Sequence, residues 1–256
     1  MKLATWNVNS IKVRLPQLLA WLAAAQPDVV CLQELKTEAS KFPRAELEGA
    51  GYACAVNGQK TYNGVALLSR TPLAEIVLDI PGFADEQRRV IAATVQDMRV
   101  VCVYCPNGQA VGSDKYAYKL RWFAALRDYL QAALASHPRL AVAGDFNVAP
   151  EDRDVHDPRA WEGQVHVSAP ERAAWRALLE LGLKDSFRQF PQPDKTYTWW
   201  DYRMMAFRRN AGLRIDHILL SAALAERCTA AGVDKEPRRQ ERPSDHAPAL
   251  VELRAG

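Results

Sequence analysis

Short apolar runs recur along the chain, and most of them end in polar residues. "KLATWN" (2–7), "DVVCLQE" (28–34), "NGVALLSR" (63–70), "LAVAGD" (140–145), "LRIDHILLS" (213–221) and "APALVEL" (247–253) each read as a strand. "RRVIAATVQDMRVVCVYCPNG" (88–108) reads as a hairpin turning near Gln96 and Asp97. Three stretches show helical spacing instead. The first runs from about Leu15 to Ala25, with Pro16 tolerated in the first turn and Pro27 beyond the end. The second runs from about Asp114 to Ala135, with Leu120, Phe123, Leu126, Leu130 and Leu134 three and four apart. The third starts at Ser168 and Glu171, which have capping-box spacing, and stops at Gly182. Many short strands with helices between them predict two sheets packed together with helices outside, in one domain over 1–256.

The strand ends carry the chemistry. Asn7 and Asn9 close the first run, Glu34 the second, and Tyr104 and Asn107 lie at the end of the hairpin. "RLAVAGDFNVAP" puts Asp145 and Asn147 two residues apart before a proline. Residues two apart on a strand share a face, so Asn7 with Asn9, and Asp145 with Asn147, are each expected to converge. Asp216 lies among Leu213, Ile215, Ile218 and Leu219, where an unpaired carboxylate is costly to bury. Asp245 and His246 immediately precede the last strand. Any one acid after a strand is more often a turn or cap residue. Six such groups at strand ends point instead to one site, because a sheet fixes the direction of what projects from its rim.

Composition narrows the partners. The chain has 256 residues, 48% hydrophobic and 25% charged, the balance of a globular protein. A formal charge of +3 is too small to imply a nucleic-acid partner, so any basic surface must be local. The five cysteines are scattered through apolar runs, which argues for a reducing, cytoplasmic location without disulfides. Cys102 and Cys105 form a CxxC inside a predicted strand, where residues three apart point to opposite faces; they read as buried thiols. No apolar run approaches membrane-spanning length, and no signal-peptide pattern opens the chain. Carboxylates, amides, one tyrosine and one histidine, with no nucleophilic triad, suit a hard cation and hydrolysis of a phosphate ester.

"TWNVNS", "PDVVCLQELK", "NGVALLSR", "YCPNG", "GDFNVAP", "TWWDYR", "GLRIDHILLS" and "PSDHAP" occur in an order that resembles the exonuclease III family of abasic-site endonucleases, within the endonuclease/exonuclease/phosphatase superfamily. The resemblance runs from Lys2 to about Leu253. It implies a four-layered α/β sandwich of two mixed β-sheets flanked by helices. It implies a Mg²⁺- or Mn²⁺-dependent hydrolase that repairs double-stranded DNA at abasic sites, nicks or blocked 3′ ends. No oligomerisation feature stands out in the sequence, so a monomer is expected. Glu34 would be the principal metal ligand, with Asn7 nearby and Asp245 supporting the site; Asn9 and Lys36 would lie just outside. Asp145 would activate water, Asn147 and Tyr104 would bind the phosphate and its transition state, and His246 would contact the scissile phosphate, oriented by Asp216.

Trp199, Leu213 and Ile215 fall where such enzymes form an apolar pocket for a base-less sugar, although Ile215 reads equally well as core. Lys12, Arg203, Arg208, Arg209 and Arg214 crowd the same segments, as do Arg14, Arg238, Arg239 and Arg242, and are expected to contact the phosphate backbone. Two departures stand out. His166 occupies a position where relatives often carry Gly or Ser, and its ring is expected to crowd the pocket and favour trimming of 3′ ends over internal incision. The segment after "YCPNG", "QAVGSDK", lacks an arginine that some relatives push into the major groove. Two other readings share some of these features. A phosphatase or phosphodiesterase of the same superfamily acting on a small phosphoester would keep the chemistry, and a silent DNA-binding module would not need the full acidic and amide set.

Overall fold

The computed structural model describes residues 1–254. The strands are β1 (Lys2–Asn7), β2 (Val29–Gln33), β3 (Ala53–Asn57), β4 (Val65–Ser69), β5 (Leu73–Leu78), β6 (Val90–Val95), β7 (Met98–Tyr104), β8 (Leu140–Asp145), β9 (Lys184–Asp185), β10 (Asp216–Leu220), β11 (Cys228–Val233) and β12 (Ala249–Leu253). The helices are α1 (Ile11–Ala25), α2 (Arg44–Gly49), α3 (Asp114–Ser136), α4 (Pro158–Trp161), α5 (Ala169–Leu179) and α6 (Ala222–Ala225), with short 3₁₀ turns between elements.

The strands form two six-stranded mixed sheets, ordered β11-β12-β1-β2-β4-β3 and β5-β6-β7-β8-β10-β9. Leu3, Val29, Cys31 and Leu67 of the first sheet meet Ile91, Val100, Ala143 and Ile218 of the second in an apolar interior. The opposite face of the first sheet packs on Leu18, Trp21 and Leu22 of α1. The opposite face of the second packs on Trp122, Phe123 and Leu126 of α3 and Trp175 and Leu178 of α5. This is the expected four-layered sandwich. Its inner strands are covered on both faces, which is why they read as unbroken apolar runs. Cys102 and Cys105 are buried free thiols.

The topology gathers the polar strand ends. β1 runs parallel to β2, and β7 to β8, so all four finish at one rim. β10 is antiparallel to β8, with Asp216 opposite Asp145, and β12 is antiparallel to β1; both therefore begin there.

Gly144 holds β7 and β8 together immediately before that rim. A Cβ on it would lie 1.9 Å from the Val103 carbonyl oxygen, a backbone atom that cannot yield. Gly144→Ala is expected to push β8 off β7, to destabilise the protein by about 3 kcal/mol or more, and to displace Asp145. Urea unfolding of the variant tests this; an unchanged midpoint would contradict it.

Candidate active site

Asn7, at the end of β1, bridges the two sheets. Its amide Nδ2 donates to Glu34 Oε1 at 2.9 Å and to Asp145 Oδ2 at 3.0 Å. His246 Nδ1 donates to Asp216 Oδ2 at 2.8 Å, and its Nε2 lies 3.8 Å from Asp145 Oδ2. The segment before β12 is tied to β1, since Ser244 Oγ donates to Asn7 O and Trp6 Nε1 donates to His246 O. Asp145, Asp216 and His246 are each at most 4% exposed, so their charges act on one another with little screening by water.

These charges set the protonation states. Burial, then the Asp216 carboxylate, raise Asp145 to about 7. Burial alone would lower His246, but Asp216 and Asp145 outweigh it and push the imidazole up to about 10. The rim therefore pairs a carboxyl that titrates near neutrality with a histidine that keeps its proton. Burial, then the Glu34 and Asp145 charges, keep the Tyr104 hydroxyl protonated. The Arg89 guanidinium stacks 4.8 Å from the Tyr104 ring centroid and donates to the Tyr104 carbonyl.

Glu34, Asp145 and His246 each offer a ligand atom within 4.8 Å of the others. With His246 protonated, the oxygens of Glu34 and Asp145 remain as donors, and two carboxylates suit a hard divalent cation. The Lys36 ammonium, 3.0 Å from Glu34 Oε2, also donates to Asn9 Oδ1 at 2.5 Å. Asn7, expected near Glu34, lies beside it, and Asp245, expected to support the site, lies at the rim. Asn7 turns its nitrogen to the carboxylates, while its Oδ1 accepts from the Asn9 backbone N–H. Asp245 accepts from Asn9 Nδ2 and from Trp199 Nε1, both at 2.9 Å, and so braces the rim from beside the Glu34–Asp145–His246 group.

The expected convergence of Asn7 with Asn9 and of Asp145 with Asn147 occurs, but not by strand pleating. Asn9 and Asn147 lie beyond their strands with φ of 44° and 51°. Asn147 is folded back by its own N–H, which donates to Asp145 Oδ1 at 2.9 Å, and its Nδ2 donates to Cys105 O. This is a side-chain-capped turn, for which Asp is well suited.

Ala149, Val155, Leu213 and Ile215 form a small buried apolar cluster, with Trp161, Val167 and Trp199 half-buried against it; Leu213 and Ile215 are therefore core residues here rather than an open pocket wall, and Trp199 is the expected pocket residue that reaches solvent. Trp199 bridges Leu213 on one side and His246 on the other, so the cluster adjoins the acidic rim. His166 is buried beside it, with Nδ1 donating to Asn147 O at 2.7 Å and its ring 6.2 Å from that of Trp161. Lys12, Arg203, Arg208 and Arg209 are exposed. Arg214 is not available to DNA: it is 1% exposed, held by Asp154 at 2.6 Å and Asp185 at 2.8 Å. The same correction applies to Arg238, buried against the rings of Tyr202 and Phe207. Sequence reasoning passed over Arg89, and also Tyr202, whose hydroxyl accepts from Arg14 at 2.8 Å. Neither ends an apolar run, so periodicity gave no signal for them.

The endonuclease/exonuclease/phosphatase family model matches residues 4–246, and the chain belongs to that family, in its exonuclease III branch. Among similar proteins, exodeoxyribonuclease III of Haemophilus influenzae is 36% identical, with 99% of this chain and 100% of the relative covered. Two solved structures superpose over the full length of both chains. One is the 3′ phosphatase NExo from Neisseria bound to product DNA hairpin, with TM-score 0.98 and 49% identity. The other is an AP endonuclease from Archaeoglobus fulgidus, with TM-score 0.96 and 38% identity. No helix among the described residues is long and apolar enough to cross a membrane.

Proposed function

We propose that this nuclease of the exonuclease III type works chiefly at DNA 3′ ends, removing 3′ phosphates, other 3′ blocks and terminal nucleotides, and incises internal abasic sites poorly. The observation that carries this reading is the His166 ring, buried between Asn147 and Trp161 at the edge of the apolar cluster. The similarity to a Neisseria 3′ phosphatase at 49% identity supports it. The substrate is duplex DNA ending at a nick or a recessed 3′ end, bound by a monomer in the cytoplasm. Exposed Lys12, Arg203, Arg208 and Arg209 hold the phosphate backbone, a sequence-independent and salt-sensitive attraction. One domain carries all of these parts.

Glu34 and Asp145 would hold Mg²⁺, or Mn²⁺ in its place, and such a cation would supply charge neutralisation and polarisation of the phosphate. Asp145 takes the proton of the attacking water. His246, kept protonated by Asp216, donates to a non-bridging phosphate oxygen as charge builds there. Tyr104 and Asn147 supply further donors, and these fixed dipoles act on the transition state without reorganising. Asn7 keeps Glu34 and Asp145 at a set separation, and Asp245 holds Trp199 at the cluster.

The test is cleavage of three end-labelled duplexes, carrying an internal abasic analogue, a 3′-phosphate at a nick, and a plain recessed 3′ end. Activity on the last two that EDTA abolishes and Mg²⁺ restores is expected. Strong incision of the abasic duplex would overturn the 3′-end preference, and activity only on small phosphoesters would overturn the DNA assignment.

The pH dependence follows from the two titrations. The base must be ionised, so the rate is expected to fall as pH drops below about 7, where Asp145 takes up a proton. A nearby cation favours the ionised carboxylate, so this limb should move to lower pH as metal concentration rises. The acid must be protonated, so a second fall is expected above about 10, where His246 loses its proton. Profiles of kcat at two metal concentrations check both limbs; a profile at the lower metal concentration that stays flat between pH 5 and 8 would sink the assignment of Asp145.

A further inference from the structure

Behind the phosphate end of the rim lies an ion pair that the proposed chemistry does not use. Lys119 of α3 and Glu171 of α5 are both fully buried, with Nζ 2.5 Å from Glu171 Oε1. An ammonium has three protons to donate. Beyond the one given to Glu171, Lys119 Nζ donates to Asn147 O at 2.7 Å and to Asn107 O at 3.1 Å. The carboxylate is shared in the same way. Glu171 Oε1 also accepts from the His166 backbone N–H at 3.0 Å, and Oε2 accepts from Ser168 Oγ at 2.5 Å.

We propose that the Lys119–Glu171 pair is a positioning unit. It holds the loops carrying Asn107, Asn147 and His166 in the backbone conformations that aim Asn147 at the phosphate and the His166 ring at the pocket. This rests on the reading of the site as a phosphoesterase centre. A packing role does not account for the pair: an apolar pair of similar volume would join α3 to α5 at least as well, without the cost of desolvating two charges. What apolar side chains cannot do is hold backbone carbonyls. Asn147 and His166 both have left-handed backbones, with φ of 51° and 79°, which side chains other than glycine adopt only when the surroundings enforce them. The Asn147 carbonyl is held twice, by Lys119 Nζ and by His166 Nδ1. The Asn107 loop also meets the lysine closely, since a Cβ on Gly108 would lie 3.1 Å from Lys119 Cδ.

The experiment compares the parent with the double variant Lys119→Met/Glu171→Gln, which removes both charges and leaves no ion buried alone. The kinetic readout is release of phosphate from a nicked duplex bearing a 3′-phosphate, with Mg²⁺. A fall in kcat of at least tenfold with KM changed less than threefold is expected, because Asn147 acts on the transition state rather than on binding. The second readout needs no activity: by NMR, the Asn147 amide should exchange with deuterium at least tenfold faster relative to the β8 amides, which report global unfolding. A folded double variant with kcat within twofold of the parent and unchanged Asn147 exchange would overturn the proposal, because a role in packing alone moves the melting temperature and neither readout. If the double variant does not fold, Lys119→Gln/Glu171→Gln, which also removes both charges but keeps polar groups for the loop backbone, should show the same changes, smaller in size, and the absence of both would overturn the proposal too. A parent inactive on every DNA substrate would remove the functional reading, and the exchange measurement would then decide the positioning role by itself.

Discussion

Replacing Asp145 with asparagine is expected to lower kcat for 3′-phosphate release by about 10³-fold or more while leaving the protein folded. Two roles are proposed for this one side chain, general base and charged partner of a cation, each worth orders of magnitude in rate. Loss of stability would not be the cause. Asp145 is raised from its ordinary 3.8 to about 7, so folding disfavours its ionised form. Its contribution to stability is most favourable below pH 3.8 and declines as pH rises through about 7. The substituted amide carries no charge to desolvate, which at about pH 8 favours the variant. Against this, the asparagine would set one amide nitrogen toward Asn7 Nδ2, where the aspartate accepts at 3.0 Å. A melting temperature at that pH within a few degrees of the parent, with activity almost gone, is the expected pair of results. Activity within tenfold of the parent would remove Asp145 from the base role. The same substitution also takes away one of the carboxylates that keep His246 protonated, so residual activity should fail at a lower pH on the alkaline side.

The parts of this molecule that were legible in its sequence share a physical origin. The inner strands β1, β2, β4, β6, β7, β8, β10 and β12 are covered on both faces or nearly so, and burial forces the apolar runs by which they were found. The four strands that pattern reading passed over, β3, β5, β9 and β11, are the four edges of the two sheets. Edge strands pair on one side only and tolerate polar residues; β5 and β11 are largely exposed or half-buried and carry no such signal. The acidic rim was legible because polar residues at the ends of buried strands are improbable without a use. Its internal wiring was not. The left-handed turns at Asn9 and Asn147 depend on what surrounds them, and the Arg214 ion pairs and the Lys119–Glu171 pair join residues far apart in the chain. A sequence displays Arg214 and Arg208 as equals, while the fold buries the first against two aspartates and leaves the second in solvent.

Exchanging His166 for glycine is expected to raise incision at internal abasic sites by at least tenfold while 3′-phosphate release stays within about fivefold of the parent. Three observations set the direction. The imidazole is buried beside Trp161 and Asn147, next to the apolar cluster that Trp199 joins to the acidic rim, so removing it opens space there. Its backbone already has φ of 79°, a conformation that glycine adopts without strain, so the loop has no reason to rearrange. Its shorter side-chain bond, Nδ1 to Asn147 O, is duplicated by Lys119 Nζ on the same carbonyl, and its longer one, Nε2 accepting from Asn107 Nδ2 at 3.4 Å, leaves the Asn107 carbonyl still held by Lys119, so both loops keep an anchor. Burial also drives the imidazole down to about 3, so it is neutral at working pH and its loss removes no charge from the site. A 3′ phosphate needs only the rim and its donors. An internal abasic site must in addition seat a sugar beside Trp199 with DNA continuing on both sides. The substitution should therefore act on one reaction and spare the other, and the ratio of the two rates is the quantity to measure. If both rates change by the same factor, the ring is part of the general architecture and the 3′-end preference has another source. The "QAVGSDK" loop, which exposes Val111 and carries no arginine, would then be the next segment to alter.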